Sequence, residues 1–262
     1  MFQRIISILS IIVFFVIIFI GYMSWNEKIA KTTQEPISKD IQADTSETMA
    51  LTFEKLQQAI THLPESVQQM FKETYVNKKQ INVVFVGSTS TGLHENGWSM
   101  KVKDALEKFY GTDLLKISIY EFDGTSTEFL NSELPEQIIE ESPHLVFLES
   151  FRLADNYGFV TVEATQENLI TFIEQISTEL PEAAFIVQPP NPLSSAVNYP
   201  KEVEEIQQFL ETNGIPYFNH WEKWPISNSE EMERLLKDGL PNEKGHEIWA
   251  EAIIDYFIAT EK

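Results

Sequence analysis

Five short apolar runs, each followed by a stretch of helical periodicity, restrict the folds open to this chain more than any other feature. The first is Ile81-Asn82-Val83-Val84-Phe85-Val86, and similar runs stand at 115–122, 144–149, 183–188 and 215–218. Runs this short, each set off from the next by a helical stretch, read as strands. Between them the spacing predicts helices over 98–109, near 128–141, over 165–180 and over 201–213. On the third of these, Leu169, Phe172, Ile173, Ile176 and Leu180 share one face. A closing helix carries Ile248, Trp249, Ala252, Ile253, Tyr256 and Phe257, and a helical stretch over 51–78 is broken at Pro64. Strand and helix in strict alternation predict a five-stranded parallel sheet with helices on both faces. Such sheets take ligands beyond the carboxyl ends of their strands. The loops beginning near Gly87, Asp123, Ser150, Pro189 and Asn219 are therefore where a site is expected.

A different kind of segment precedes this pattern. Residues 5–26 carry no charge, and the apolar part, 5–23, matches the roughly 20 residues that span a bilayer core. No Ala-x-Ala cleavage signal follows, and Tyr22 and Trp25 suit the headgroup zone. The expectation is an uncleaved N-terminal transmembrane helix over 1–26, a polar linker over 27–50 and one domain over 51–262. Arg4 on one side and Lys28 and Lys31 on the other barely bias the orientation. A lone N-terminal anchor usually serves export, so the expected placement is single-pass in the cell membrane with the domain extracytoplasmic. The net charge of −21 argues against nucleic acid as a partner and gives no basic patch for anionic lipid. Without cysteine, disulfides, thiolate metal sites and a cysteine nucleophile are excluded.

The loops carry the motifs. Gly87-Ser88-Thr89-Ser90-Thr91-Gly92 follows the first strand. Asp123-Gly124 follows the second, Asp155-Asn156 lies in the third loop, and Gln188-Pro189-Pro190-Asn191-Pro192 forms the fourth. Near the end, Pro241-Asn242-Glu243-Lys244-Gly245-His246 opens the last helix. In this order the blocks resemble those of the SGNH (GDSL-type) hydrolases, over about residues 81–262. That resemblance implies a three-layer α/β/α, flavodoxin-like fold and ester or acyl chemistry without metal or cofactor. It implies an ester substrate, a small molecule or a glycan of the cell envelope, and no nucleic acid. It places the nucleophile among Ser88, Thr89 and Ser90, and oxyanion donors at the Gly124 N–H and the Asn156 amide.

The chain also departs from that pattern. The family's nucleophile position falls on Thr89, where its Asp-x-x-His should be the histidine falls on Leu240 and the aspartate on Lys237, and Asp238 is one place off. Asp238 remains the candidate acid, and His246 the candidate base, with His220 and His94 as alternatives. His62 and His144 lie far from the expected ligand edge. Arg152 is a candidate for reading an acidic group on a substrate. Two further readings stay open: an SGNH-like domain that binds a glycan or a protein without catalysis, and a flavin or phosphate binder of flavodoxin type, since Gly87–Gly92 also resembles that phosphate loop.

Overall fold

The computed structural model describes residues 51–259. The expected anchor and linker lie outside the described residues, and among the described residues no helix is long and apolar enough to cross a membrane. Four strands, β1 (Ile81–Gly87), β2 (Leu115–Glu121), β3 (Leu145–Glu149) and β4 (Ala184–Gln188), form a parallel sheet in the order β2-β1-β3-β4. Alternate residues of each strand face opposite layers. Val83, Phe85, Phe147 and Ile186 enter one core, and Val84, Val86, Val146, Leu148 and Val187 enter the other.

Helices α1 (Phe53–Ala59) and α2 (Glu65–Val76) join α3 (Trp98–Tyr110) on the first face. Pro64 separates the first two and stands at the N-cap of α2, where a missing N–H costs nothing. The second face is covered by α4 (Ser126–Leu130), α5 (Leu134–Glu140), α7 (Val162–Glu179) and α8 (Tyr199–Thr212). The single helix expected near 128–141 is two, because Pro135 stands in the first turn of α5. Between β3 and α7 a short α6 (Arg152–Tyr157) occupies part of the predicted loop. Then come α9 (Glu230–Glu233), the small antiparallel pair β5 (Leu236–Lys237) and β6 (Leu240–Pro241), and the closing α10 (Glu243–Phe257). Trp98 of α3 stacks on Trp249 of α10 with ring centroids 5.0 Å apart, closing the first core over the sheet.

The five-stranded expectation is corrected: the sheet has four strands, and 215–218 contributes one parallel bridge, Val187 to Tyr217. Two bonds make it, Val187 N–H to Pro216 O at 2.9 Å and Phe218 N–H to Val187 O at 2.8 Å. The next ladder donors in either direction are the nitrogens of Pro216 and Pro189, and proline has no N–H to give. A proline on each side of the bridge keeps this segment from lengthening into a strand.

Candidate functional site

β1 delivers Ser88 to the carboxyl edge of the sheet, where the chain turns through a 3-10 helix, Thr89–Thr91. Glu149 ends β3 one row beyond the Val86–Leu148 pair and is fully buried. Its Oε2 accepts from the Ser88 N–H at 2.8 Å, the Ser88 hydroxyl at 2.6 Å and the Ser90 hydroxyl at 3.1 Å. Its Oε1 accepts from the Phe151 N–H at 2.7 Å. Burial raises the Glu149 carboxyl above its ordinary value, against the pull of these bonds. Only glycine fits at 87, since a Cβ there would overlap Thr91 Oγ1 and stand 2.7 Å from Glu149 Cβ. Thr89 differs from its neighbours: it is exposed, and its hydroxyl has no hydrogen-bond partner among the described residues.

A cleft of about 210 Å³ opens above this loop. Ser88 and Thr89 form one wall, Leu153, Ala154 and Tyr157 of α6 a second, and Asp238, Gly239 and Leu240 a third. A second, open cleft of about 470 Å³ shares Asp238 and Gly239 and runs past Leu193 to Glu233. A larger groove of about 780 Å³ lies beside Lys79, His144 and Ala184, at the amino ends of the strands, away from these motifs. The carboxyl-edge cleft is the candidate site, because parallel strands and the following helix starts converge their loops there.

The structure gives the closing motif a different job. Asp238 (φ 54) and Gly239 (φ 82) are both left-handed and form the two-residue turn of the β5–β6 hairpin, a conformation that Asp-Gly favours. Asn242 caps α10, its Oδ1 accepting from the N–H groups of Lys244 at 3.0 Å and Gly245 at 3.2 Å. Its amide donates to Arg234 O at 2.7 Å. A Cβ at Gly245 would overlap Leu235 O, so glycine lets the helix start press on the preceding loop. Pro241-Asn242-x-x-Gly245 thus builds a helix start. Asn242→Ala should cost about 1–2 kcal/mol in chemical denaturation, the value of a cap with two backbone donors. A loss below a few tenths would mean the cap is replaced by water.

The histidines are occupied. His246 is buried under the Gly92 loop, its Nδ1 accepts from Trp98 N–H at 3.2 Å, and its ring stands edge-on to His94 with centroids 5.1 Å apart. Burial, helped by His94 and Lys101, lowers its pKa to about 4. His220 stacks on Trp249 at 4.2 Å, its Nδ1 lies 3.0 Å from Trp224 Nε1, and its Nε2 lies 3.0 Å from Pro189 O. An indole N–H can only donate and a carbonyl can only accept, so the proton of His220 is on Nε2. Burial lowers its pKa to about 3. Among the described residues no hydrogen bond joins Ser88, Thr89 or Ser90 to a histidine.

The remaining candidates sit apart from the cleft lining. Gly124 precedes the capping box of α4, under the Phe122 ring. Asn156 Nδ2 donates to Glu202 Oε2 at 2.7 Å, and its Oδ1 accepts from Arg152 Nη2 at 2.9 Å. Arg152 is buried and turned inward to Glu202, so it does not read a substrate. Asp155 is buried on Ser126 and Thr165, and burial raises its pKa. The structure therefore brings Ser88, Thr89 and Asp238 to one cleft, and leaves Gly124, Asn156 and His246 outside its lining. No sequence motif marks Glu149 or Tyr157. An ionisable residue ending the otherwise apolar Leu-Val-Phe-Leu-Glu run was the available signal for the first.

No family model matches the chain, and no curated protein matches it. Solved structures do. The acetylxylan esterase Axe2 from Geobacillus stearothermophilus is 15% identical at a TM-score of 0.55, over 70% of this chain and 97% of that one. A GDSL-like lipase from Bacteroides thetaiotaomicron is 20% identical at a TM-score of 0.51, over 71% and 96%. The lipase Lip_vut3 from a goat rumen metagenome is 13% identical at a TM-score of 0.52, over 68% and 97%. At such identities the likeness speaks to the fold, and the chain has the α/β fold of the SGNH/GDSL hydrolases.

Proposed function

We propose that this chain is a membrane-anchored, extracytoplasmic protein whose SGNH-type domain binds an ester-bearing or glycan ligand in the carboxyl-edge cleft without cleaving it by a serine–histidine route. The anchor rests on the uncharged run at 5–23. The absence of cleavage rests on one observation, the seating of Glu149 on the first loop. Acyl transfer needs donors aimed at a developing oxyanion. Here the Ser88 N–H and the Ser88 and Ser90 hydroxyls are all turned onto a carboxylate. An ionised carboxylate beside the reacting carbonyl opposes the charge that the transition state develops. The cleft keeps the features of a binding site: the exposed Thr89 hydroxyl, the Asp238 carboxylate, the exposed Tyr157 and apolar Leu153 and Leu240.

A second reading is ester hydrolysis, such as deacetylation of an envelope glycan. The 2.6 Å contact of Ser88 Oγ with Glu149 Oε2 favours it, since a hydroxyl then lies within reach of a carboxylate base. Likeness to esterases, an acetylxylan esterase among them, also supports it. The full chain should hydrolyse p-nitrophenyl acetate no faster than a folded Ser88→Ala/Thr89→Ala/Ser90→Ala variant, yet bind acetylated xylo-oligosaccharide in calorimetry. Hydrolysis lost in the variant would establish the second reading; neither binding nor hydrolysis would overturn both.

A further inference from the structure

Two walls of the cleft meet on one buried carboxylate. The first loop, with Ser88 and Thr89, hangs on Oε2 of Glu149. The wall formed by Leu153, Ala154 and Tyr157 belongs to α6, which starts directly after Phe151, and the Phe151 N–H hangs on Oε1 at 2.7 Å. Phe151 has φ 59, a left-handed conformation unfavourable for a bulky residue, and its ring is fixed by stacking on Phe129 at 5.1 Å. The backbone entry to α6 is thus held in a strained conformation by the same side chain that holds the first loop.

An ionised carboxylate accepts at both oxygens, whereas a protonated one must donate from one of them. A proton on Oε2 would face the Ser88 N–H at 2.8 Å, and a proton on Oε1 the Phe151 N–H at 2.7 Å. Hydroxyls of Ser88 and Ser90 can rotate to become acceptors, but a backbone N–H cannot. A protonated carboxyl oxygen is a weaker acceptor than a carboxylate oxygen, so protonation at either site weakens the bond that holds one backbone donor, and with it one wall.

No second carboxylate hydrogen-bonds to this cluster among the described residues. The first loop brings Ser88 and Ser90. β4 brings Gln188, paired in register with Glu149, and α10 brings Trp249, bonded to Gln188, and the neutral His246. α8 brings Tyr199, whose buried hydroxyl donates to Asn191 O and keeps its proton. α6 brings Arg152, already bonded to Glu202 and Asn156.

We propose that Glu149 is the positioning residue of the cleft, a strap whose ionised form holds the hydroxyl loop and the start of α6 together and whose protonation weakens its hold on one of them. The strap belongs to the cleft assigned above, but its test needs no ligand, so it can fail independently of the binding reading. In ¹⁵N–¹H spectra of the full chain, the amide signals of Ser88 and Phe151 should titrate together, with a common midpoint displaced upward from that of an exposed glutamate. The fluorescence of Trp98, whose indole donates to Ser90 O at 3.0 Å, should follow the same midpoint. Glu149→Gln should abolish the shared titration and leave the Ser126 amide, which sits on Asp155, unaffected. Glu149→Asp, should the first variant fail to fold, should keep a titration at only one of the two amides. Separate midpoints in the native chain, no titration at either amide, or a shared titration that survives in Glu149→Gln would each overturn the proposal.

Discussion

Arg152→Ala is expected to lower the melting temperature by roughly 10 °C. The guanidinium is 3% exposed and makes four hydrogen bonds. They run to Glu202 Oε2 at 3.1 Å, Val160 O at 3.0 Å, Thr165 Oγ1 at 2.9 Å and Asn156 Oδ1 at 2.9 Å. Removing it strands these acceptors and withdraws the positive charge that helps keep buried Asp155 ionised. Breaking a buried network by deleting one partner costs about 3–5 kcal/mol, and a domain of this size loses about 2–4 °C per kcal/mol. Arg234→Ala is the control: its bond to Glu230 at 3.2 Å is almost fully in solvent, where an ion pair contributes about 0–1 kcal/mol. Calorimetric scans of both variants make the comparison. Equal shifts would mean that water replaces the Arg152 network at little cost.

Acidification from neutral pH is expected to expose the second large effect. His220 is neutral in the fold, with burial lowering its pKa to about 3, and an unfolded histidine titrates near 6.5. Above about pH 6.5 neither state binds the proton, and the contribution is fully present. As pH falls, the unfolded chain binds it first, so stability drains until the folded value is reached. The full span corresponds to roughly 5 kcal/mol. His246, lowered to about 4, acts with the same sign over a shorter span. Glu149 and Asp155 act oppositely: their raised values favour the fold in acid, and that contribution disappears as pH rises through them. The comparison is therefore between denaturation at about pH 7 and pH 5 in the native chain and in His220→Gln. The variant should be weaker at neutral pH, having lost the Trp249 stack, but should lose less on acidification. Identical losses in both would show that His220 is not the group responsible.

Local pattern made the layers readable. β1, β3 and β4 lie where apolar runs stand in the sequence, because a strand covered on both faces must be apolar throughout. The fifth run was misleading for a reason also local in origin. Pro216 and Pro189 are visible in the sequence, but only the register shows that their nitrogens are the two donors a longer ladder would need. From spacing alone, the closing motif resembles an active-site block. Its asparagine caps a helix, its glycine admits a carbonyl, and its histidine is buried beneath the Gly92 loop. A helix start and a catalytic loop draw on the same small polar residues, so spacing alone does not separate them.

By itself the sequence determined the alternation of strand and helix that builds the layers, the edge of the sheet to which its loops converge and the absence of cysteine chemistry. Periodicity and charge are sums over neighbours along the chain, and they survive folding unchanged. The tertiary structure alone decided which polar group answers which. Ser88 meets Glu149 from 61 residues away, and Arg152 meets Glu202 from 50 residues away. Trp98 N–H meets His246 from 148 residues away. A buried donor must find an acceptor wherever the packing brings one. Here the packing brought the hydroxyl loop a carboxylate rather than a histidine.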